Sequence, residues 1–429
     1  MSRGGPPDGR TYWKASATAW SLPPAEAPRR ADVAVVGAGF TGLSAAYHLA
    51  LAGASVAVFE AGEVGEGASG RNGGQVLPGY DRDYPELVER LGLARAQAMW
   101  RLSLSAIERM EAIMAREGIE CGWEAYGHLE AATTAAQRDA LARAGDALAR
   151  DLQHPTRLLG PAEMEAAVGS PFYIAGLEFP AARAFHPLLY ARGLAAAAAR
   201  RGAVILQGRR VTAVHRRDGG YAVAWGEGRT SCREVIVATN AYVPPFAPWL
   251  RRRILPVTST VVATAPLAPG YAARILPGRQ TLSDLKTPMY YFRVTADARL
   301  VFGGGTGEEG RSLVRVFPYL EGTRIDYRWH GRVAVSADWL PHIGRTPEGW
   351  LYAAGYTGHG AAFSTEAGAM LAALALGEGT DDTATLGPFA ALPFPPMALL
   401  GQHGRVARMV RAYLRLRERL AAYAHRPGG

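Results

Sequence analysis

The chain has 429 residues, 48% of them hydrophobic and 20% charged, with a formal net charge of +9. That balance belongs to a globular protein of one large domain or two to three ordinary ones, long enough to bury most of its apolar surface without cross-links. Two cysteines, Cys121 and Cys232, exclude a disulfide framework and a cysteine-rich zinc site, and no apolar run approaches the ~20 residues of a membrane span.

Lys14 and Lys286 are the only lysines among 47 basic residues. Most arginines sit singly among acids, Arg251 to Arg253 and the tail excepted. A compositional preference for arginine explains this better than a nucleic-acid surface, so no nucleic-acid partner is expected. The few cysteines point to a reducing, cytoplasmic setting. No pair of histidines or carboxylates has metal-ligand spacing, and no metal is expected.

Residues 1–30 read as an irregular arm with Tyr12, Trp13 and Trp20 as anchors. Arg29-Arg30 before an apolar run resembles a twin-arginine export signal. The run is better read as a strand entering a glycine loop, which rejects export. "ADVAVVGAGFTGLSAAYHLALAGASVAVFEAG" gives a strand buried on both faces, a turn, a helix over 41–52 closed by Gly53, and a second strand over 55–59. From 81 to 118 the spacing of Leu87, Leu91, Trp100, Leu104, Ile107, Met110 and Met114 is helical. Pro187 suits the first turn of a further helix, and Arg200 to Gly202 its end. Short strands follow in "AVILQ", "RVTAVHR", "YAVAW" and "EVIVAT", with a turn at Asp218-Gly219-Gly220. Residues 255–305 look β-rich. "WLYAAGYTGHG" then leads into a helix over 362–376, a Pro-rich loop and a basic amphipathic tail helix.

Gly37-Ala38-Gly39-Phe40-Thr41-Gly42 is G-x-G-x-x-G after a strand and at the opening of a helix. Gly37 permits the turn, Gly39 lets the backbone approach a pyrophosphate, and Gly42 lets helix and strand close up. The helix start offers free N–H groups to the phosphates. Glu60, with Ala61 after it, ends the second strand, where an acid holds ribose hydroxyls. A dinucleotide, NAD or FAD, is expected. No second such loop exists, and about a hundred mostly helical residues interrupt the α/β wiring, which suits a flavin lying between two domains. Gly67-Ala68-Ser69-Gly70-Arg71 fails the serine-hydrolase pattern at its last residue. Tyr291 and Arg293 fall on one face of the strand "MYYFR". There the arginine either pairs with a substrate carboxylate or faces solvent at a sheet edge. His359 between glycines reads as a flavin contact. His48 reads as structural, His186 as a helix cap, and His342 and Lys286 have open roles.

The combination "YWKASA", "VVGAGFTGLSAAYHLA", "GASGRNGGQV", "HPLLYARGLAAAA", "VATNAYVPP", "LPVTSTVVATAPL", "MYYFRVTADARLVFGGG", "DWLPHIG" and "GYTGHG" resembles the D-amino-acid-oxidase superfamily of FAD-dependent amine oxidoreductases, in its γ-glutamylputrescine oxidase-like branch. The resemblance runs from about residue 12 to 377. It implies an α/β protein with a discontinuous Rossmann-like FAD-binding domain (31–82, 183–248 and 331–385) and an α+β substrate domain with a large mixed sheet (83–182 and 249–330). A tail helix over 386–429 would complete it.

By the same resemblance, Gly37, Gly39, Phe40, Thr41, Gly42, Glu60 and Ala61 would hold the ADP half of FAD. Ser69, Gly70, Arg71, Asn72, Gly73, Gly74 and Gln75 would wrap the flavin, with side-chain donors near the ring. Val211 would meet adenine through its backbone, and Gly355, Thr357, Gly358, His359 and Gly360 would return under the pyrimidine edge. Several relatives attach flavin through a late cysteine, which "GRVAVSADW" lacks, so FAD is expected to be non-covalent. Relatives also place an oxygen-assisting lysine where this chain has Val301 and Phe302. The implied reaction is oxidation of a primary or secondary amine, with Tyr291, Arg293 and His359 on the substrate side and O2 or another electron acceptor. A sarcosine- or glycine-type oxidase is a sibling reading. A basic nucleotide-binding protein with an RNA or membrane-surface partner, and an NAD-linked dehydrogenase, are readings of other classes.

Overall fold

A computed structural model describes residues 10–304, 309–377 and 382–397. The arm opens with α1 (Tyr12–Ser16), capped by the Thr11 side chain, and buries Tyr12 and Trp13. Then come β1 (Arg30–Val36), α2 (Phe40–Leu51), β2 (Val56–Phe59) and the short β3 (Gln75–Val76). The helical stretch beyond 81 is two helices, α3 (Tyr84–Leu91) and α4 (Leu93–Glu117), because Gly92 turns the chain at φ +80°. Gly118, at φ +65°, ends the second helix.

The region that composition left mixed contains β4 (His128–Ala132), α5 (Ala135–Leu152), β5 (Arg157–Leu159), α6 (Pro161–Val168), β6 (Ala175–Phe179) and β7 (Arg183–Ala184). Next are α7 (Pro187–Arg200), β8 (Val204–Leu206), β9 (Val211–Arg217), β10 (Gly220–Trp225), β11 (Gly228–Val237) and α8 (Pro248–Arg251). The β-rich stretch supplies β12 (Leu255–Thr264), α9 (Pro269–Arg274), β13 (Thr281–Asp284), β14 (Tyr290–Val294) and β15 (Leu300–Gly304). The described chain closes with α10 (Glu309–Val316), β16 (Ile325–Val335), β17 (His342–Arg345), β18 (Leu351–Ala354), α11 (Gly360–Leu376) and α12 (Asp382–Leu386). The Pro-rich segment thus carries helical turns as well as loop, and the basic tail helix lies outside the described residues.

Two eight-stranded sheets organise the molecule. The first has the order β17-β18-β11-β1-β2-β8, with β10 and β9 attached to β11. Its center, β11-β1-β2-β8, is parallel. Val33 and Val35 of β1 enter one core while Ala34 and Val36 enter another, so β1 is buried on both faces. Each fully buried valine contributes roughly 1.5–3 kcal/mol. The second sheet runs β16-β12-β15-β14-β13-β4-β6-β5 and is mostly antiparallel. One of its faces, with Leu129, Leu282, Phe292, Phe302 and Val262, covers a core of its own. The boundary expected at 330/331 falls inside β16, whose residues up to Val335 pair with β12. A strand that needs its whole length for ladder pairing does not break where a change in composition would put a domain edge.

Helix α11 lies against α2 so closely that a Cβ at Gly368 would stand 2.6 Å from Ser44 Cβ. Ser44 Oγ donates to the Thr365 carbonyl at 2.6 Å across this contact. Thus the two helices that begin at "GAGFTG" and "GYTGHG" start side by side, their N-termini at the same end of the first sheet. Among the described residues, no helix is long and apolar enough to cross a membrane.

Candidate active site

The glycine loop is built as its spacing requires. Gly37 has φ +105°, and a Cβ there would sit 2.9 Å from the Ala238 carbonyl oxygen. A Cβ at Gly42 would run into the Gly37 carbonyl. Gly39 is the N-cap of α2 and has no side chain to block the helix start. Glu60 does more than wait for a ribose: its two carboxylate oxygens accept from Ala38 N at 2.8 Å and Gly62 N at 2.9 Å. The acid therefore fastens the loop to the end of β2. The Arg209 N–H donates to the Glu60 carbonyl at 2.7 Å and sets Val211 beside the same end. Ala61 is exposed there. Phe40 N donates to Ser69 Oγ at 3.0 Å, and Thr41 Oγ1 pairs with Tyr356 OH at 2.7 Å. The Thr41 side chain is thus committed inside the protein, which leaves its backbone, not its hydroxyl, for a phosphate.

In the segment 67–76 the side-chain donors of Arg71, Asn72 and Gln75 find backbone carbonyls within the protein. Asn72 Nδ2 donates to the carbonyls of Ala68 and Ser69, and its Oδ1 accepts from Gly74 N at 2.9 Å. Arg71 Nε donates to the Glu66 carbonyl at 2.6 Å. Gln75 Nε2 donates to the carbonyls of Leu282 and Phe292. From outside, the indoles of Trp329 and Trp13 donate to the carbonyls of Arg71 and Asn72, each at 2.8 Å. The glycines allow close approach. A Cβ at Gly73 would stand 2.9 Å from the Tyr291 ring, and Gly74 has φ +72° with the Phe185 carbonyl 2.6 Å from where its Cβ would be. Gly70 is buried against the Gly65 carbonyl.

Arg293 departs from the solvent-facing alternative. It is 5% exposed, so it is no solvent-facing edge residue. Its Nη1 donates to the carbonyls of Gly74 at 2.8 Å and Phe185 at 3.0 Å, and its Nη2 to Glu124 at 2.8 Å. Nη1 ties the loop to β14 and Nη2 pairs with Glu124, as a buried guanidinium must find acceptors, while Nε is buried without a partner. Tyr291 lies against Gly73 and pairs its hydroxyl with Ser259 Oγ at 3.0 Å; burial raises its pKa.

The second loop supplies the start of α11. Gly355 has φ +83° and its N–H donates to Asn240 Oδ1 at 3.0 Å. Thr357 has φ +46°, and its backbone N–H donates to the Ala334 carbonyl at 3.0 Å. Gly358 is exposed, with φ +95° and open space where a Cβ would be. His359 is the N-cap of α11, and a Cβ at Gly360 would stand 2.9 Å from Tyr356. The Nδ1 of His359 is buried without a hydrogen bond; Asp81 Oδ1 lies 3.6 Å away.

Other histidines are structural. His186 accepts from Leu189 N at 3.2 Å and caps α7. His48 Nδ1 contacts the carbonyl of Ser44 within its helix. His342 is 2% exposed, bonded to Asp338 and stacked on Phe394. Lys286 Nζ lies 3.4 Å above the Tyr290 ring. The sequence reading missed two residues of β4. His128 bonds Thr281 at 2.7 Å and Ser283 at 2.9 Å, and burial lowers its pKa to about 3. Glu130, two residues on, is partly buried, and desolvation raises its carboxyl to about 7. The alternation His128-Leu129-Glu130-Ala131 was the signal available, with polar and apolar side chains on opposite faces. Among the described residues no cluster of three or more His, Cys, Asp or Glu is placed to hold a metal ion.

The first loop fits a dinucleotide: a glycine turn at φ +105°, a helix start without an N-cap side chain and an acid at the end of β2. Residues 32–374 match the family described as FAD dependent oxidoreductase, DAO. The chain is 32% identical over 412 residues to γ-glutamylputrescine oxidoreductase of Escherichia coli, covering 91% of this chain and 93% of that one. It is also 32% identical over 371 residues to a probable oxidoreductase of Haemophilus influenzae, covering 84% and 86%. In fold it is similar to glycine oxidase of Geobacillus kaustophilus, with a TM-score of 0.70 and 23% identity over 85% of this chain and 99% of that one. The L-proline dehydrogenase of P. horikoshii gives the same TM-score at 22% identity, over 85% and 98%. The chain belongs to the DAO family of FAD-dependent oxidoreductases.

Proposed function

We propose that this enzyme oxidises a primary amine whose reacting carbon bears no carboxylate, with γ-glutamylputrescine as the named candidate. The observation that carries the reading is the commitment of Arg293 to Gly74, Phe185 and Glu124. An α-amino acid needs a cation beside its carboxylate, and this buried guanidinium already has Glu124 as its counter-ion. The name of the 32%-identical Escherichia coli relative points to the same substrate.

FAD, when bound, would supply the hydride acceptor for oxidation of the amine α-carbon to an imine, which water hydrolyses to an aldehyde. The chain's part is to hold and orient. Residues 37–42 and Glu60 would hold the ADP half. Residues 69–75 would serve the flavin through their backbone, and 355–360 would serve it from the N-terminus of α11, where the helix dipole favours negative charge. Tyr291 packs against residue 73 with its hydroxyl on Ser259. Both cysteine thiols are buried and pushed up to about 12 by desolvation, which supports non-covalent attachment. Val301 and Phe302 are buried in β15, so the oxygen-assisting lysine of relatives has no counterpart there, which favours an acceptor other than O2.

The test is the visible spectrum of the purified protein during anaerobic titration with an amine panel, followed by product analysis. Yellow protein bleached by γ-glutamylputrescine with an aldehyde product supports the reading. Bleaching by glycine or sarcosine, with a 2-oxo acid or formaldehyde, moves it to the amino acid oxidase sibling. Protein that cannot be loaded with FAD overturns it.

A further inference from the structure

Across the second sheet, Glu130 of β4, Ser283 of β13, Tyr291 of β14 and Gly303 of β15 stand in register. They share the face opposite Leu129, Leu282, Phe292 and Phe302, which fill the core behind. Strands are about 4.8 Å apart, so about 10 Å separates the backbones of Glu130 and Tyr291. Only the small Ser283 lies between, its hydroxyl held by His128 at 2.9 Å. Tyr291 is covered by Gly73 of the first cofactor loop. Glu130 is faced by His359 of the second loop, at the start of α11, and by Asp81 and Asp83 before α3. His128, on its own strand, is the remaining titratable neighbour.

The two aspartates have partners of their own. Asp83 Oδ1 caps α3 by accepting from Glu86 N at 2.9 Å, and Asp81 is beside His359 at 3.6 Å. No hydrogen bond from a described residue reaches the Glu130 carboxylate, and the residue is only partly buried, so the group stays open to the space in front of the sheet. A partly buried carboxylate left without a donor costs free energy unless something else supplies one.

We propose that the missing donor is the substrate's ammonium, and that Glu130 is the base that takes its proton. This rests on the amine reading above. An alkylammonium has a pKa of about 10.4, as in lysine, and at neutral pH has no lone pair to drive hydride departure from the α-carbon. In the proposed step one N–H bond breaks and one O–H bond forms on Glu130. The electron pair stays on nitrogen, and the substrate is not yet oxidised. After product leaves, the proton passes from Glu130 to water. Burial of the Glu130 carboxyl, which raises it to about 7, matches a base working near neutrality.

The experiment uses the FAD-loaded enzyme and its E130Q and E130D variants, with anaerobic flavin reduction followed from pH 6 to 10. The probes are γ-glutamylputrescine and the weakly basic 2,2,2-trifluoroethylamine. E130Q is expected to be slower by ~100-fold at pH 7.5 with the basic amine. The deficit shrinks as pH approaches the amine's own pKa, and is small throughout with trifluoroethylamine. E130D retains the wild-type profile shape at reduced rate, and serves in place of E130Q if that variant loses FAD. Calorimetry with tert-butylamine, which has no α-hydrogen, reads the contact without turnover, and binding to E130Q should weaken by about tenfold at pH 7.5. An E130Q profile identical to wild type, or a deficit equal at every pH and for both amines, overturns the proposal while leaving the amine reading intact. Wild-type enzyme that no amine bleaches overturns both.

Discussion

Two glycine-rich segments of this enzyme work on different rules. In residues 37–42 Gly37 and Gly42 act locally, the first through a turn at φ +105° and the second through the Gly37 carbonyl, while Gly39 leaves room for Ser69 Oγ. In residues 67–76 the glycines act at long range. Gly73 makes room for Tyr291, and Gly74 for Arg293 and the Phe185 carbonyl, partners more than a hundred residues away. The first segment is a local cradle. The second is a seam between two sheets, stitched by Trp13, Trp329 and Arg293. A cradle fails by losing its ligand, whereas a seam fails by losing the fold around it.

The largest expected effect breaks the cradle. In Gly42→Ala the new methyl meets the Gly37 carbonyl, and overpacking of this kind costs about 1–3 kcal/mol or more. The variant should retain little FAD after gel filtration, judged by absorbance near 450 nm per protein. Full occupancy would show that helix and loop have room to separate.

Arg293→Met attacks the seam. It leaves two buried carbonyls without their donor and Glu124 with Arg279 alone, and breaking such a buried pair costs about 3–5 kcal/mol. Thermal unfolding should shift down sharply in both the FAD-loaded and FAD-free protein. A variant with unchanged melting and only a raised KM for carboxylate-bearing amines would return Arg293 to substrate binding.

The two neighbours on β4 should give opposite pH slopes. His128 is lowered from 6.5 to about 3, so its stabilising contribution is present above pH 6.5 and is lost as pH falls toward 3. Glu130 is raised from 4.5 to about 7, so its contribution is present below pH 4.5 and is lost as pH rises through 7. Melting profiles should show E130Q gaining on wild type by roughly a few degrees at pH 8 and little at pH 4. His128→Asn should flatten the acid limb between pH 6 and 4. Parallel profiles for all three proteins would mean that neither group titrates with folding.

The smallest effect is expected from Arg71→Ala. It removes the donor to the Glu66 carbonyl and a longer bond to the His330 carbonyl, both near solvent, worth about 1 kcal/mol together. FAD affinity should fall severalfold with melting nearly unchanged. A loss as large as that of Gly42→Ala would place the Arg71 side chain on the flavin after all.

The sequence by itself determined whatever depends on neighbours a few residues apart. The turn glycines, the strand-helix-strand unit, the acid at its end, Pro187 opening α7 and Tyr12 and Trp13 as anchors all follow from local backbone geometry and periodicity. Only the tertiary structure decided what pairing at a distance controls. It turned the donors of Asn72 and Gln75 inward, gave Arg293 to Glu124, ran β16 through an expected boundary and set Glu130 in register with Tyr291. A buried polar group takes whichever partner the fold brings within 3 Å, and strand register, which spaces such partners across the sheet, is set by long-range packing that no short motif records.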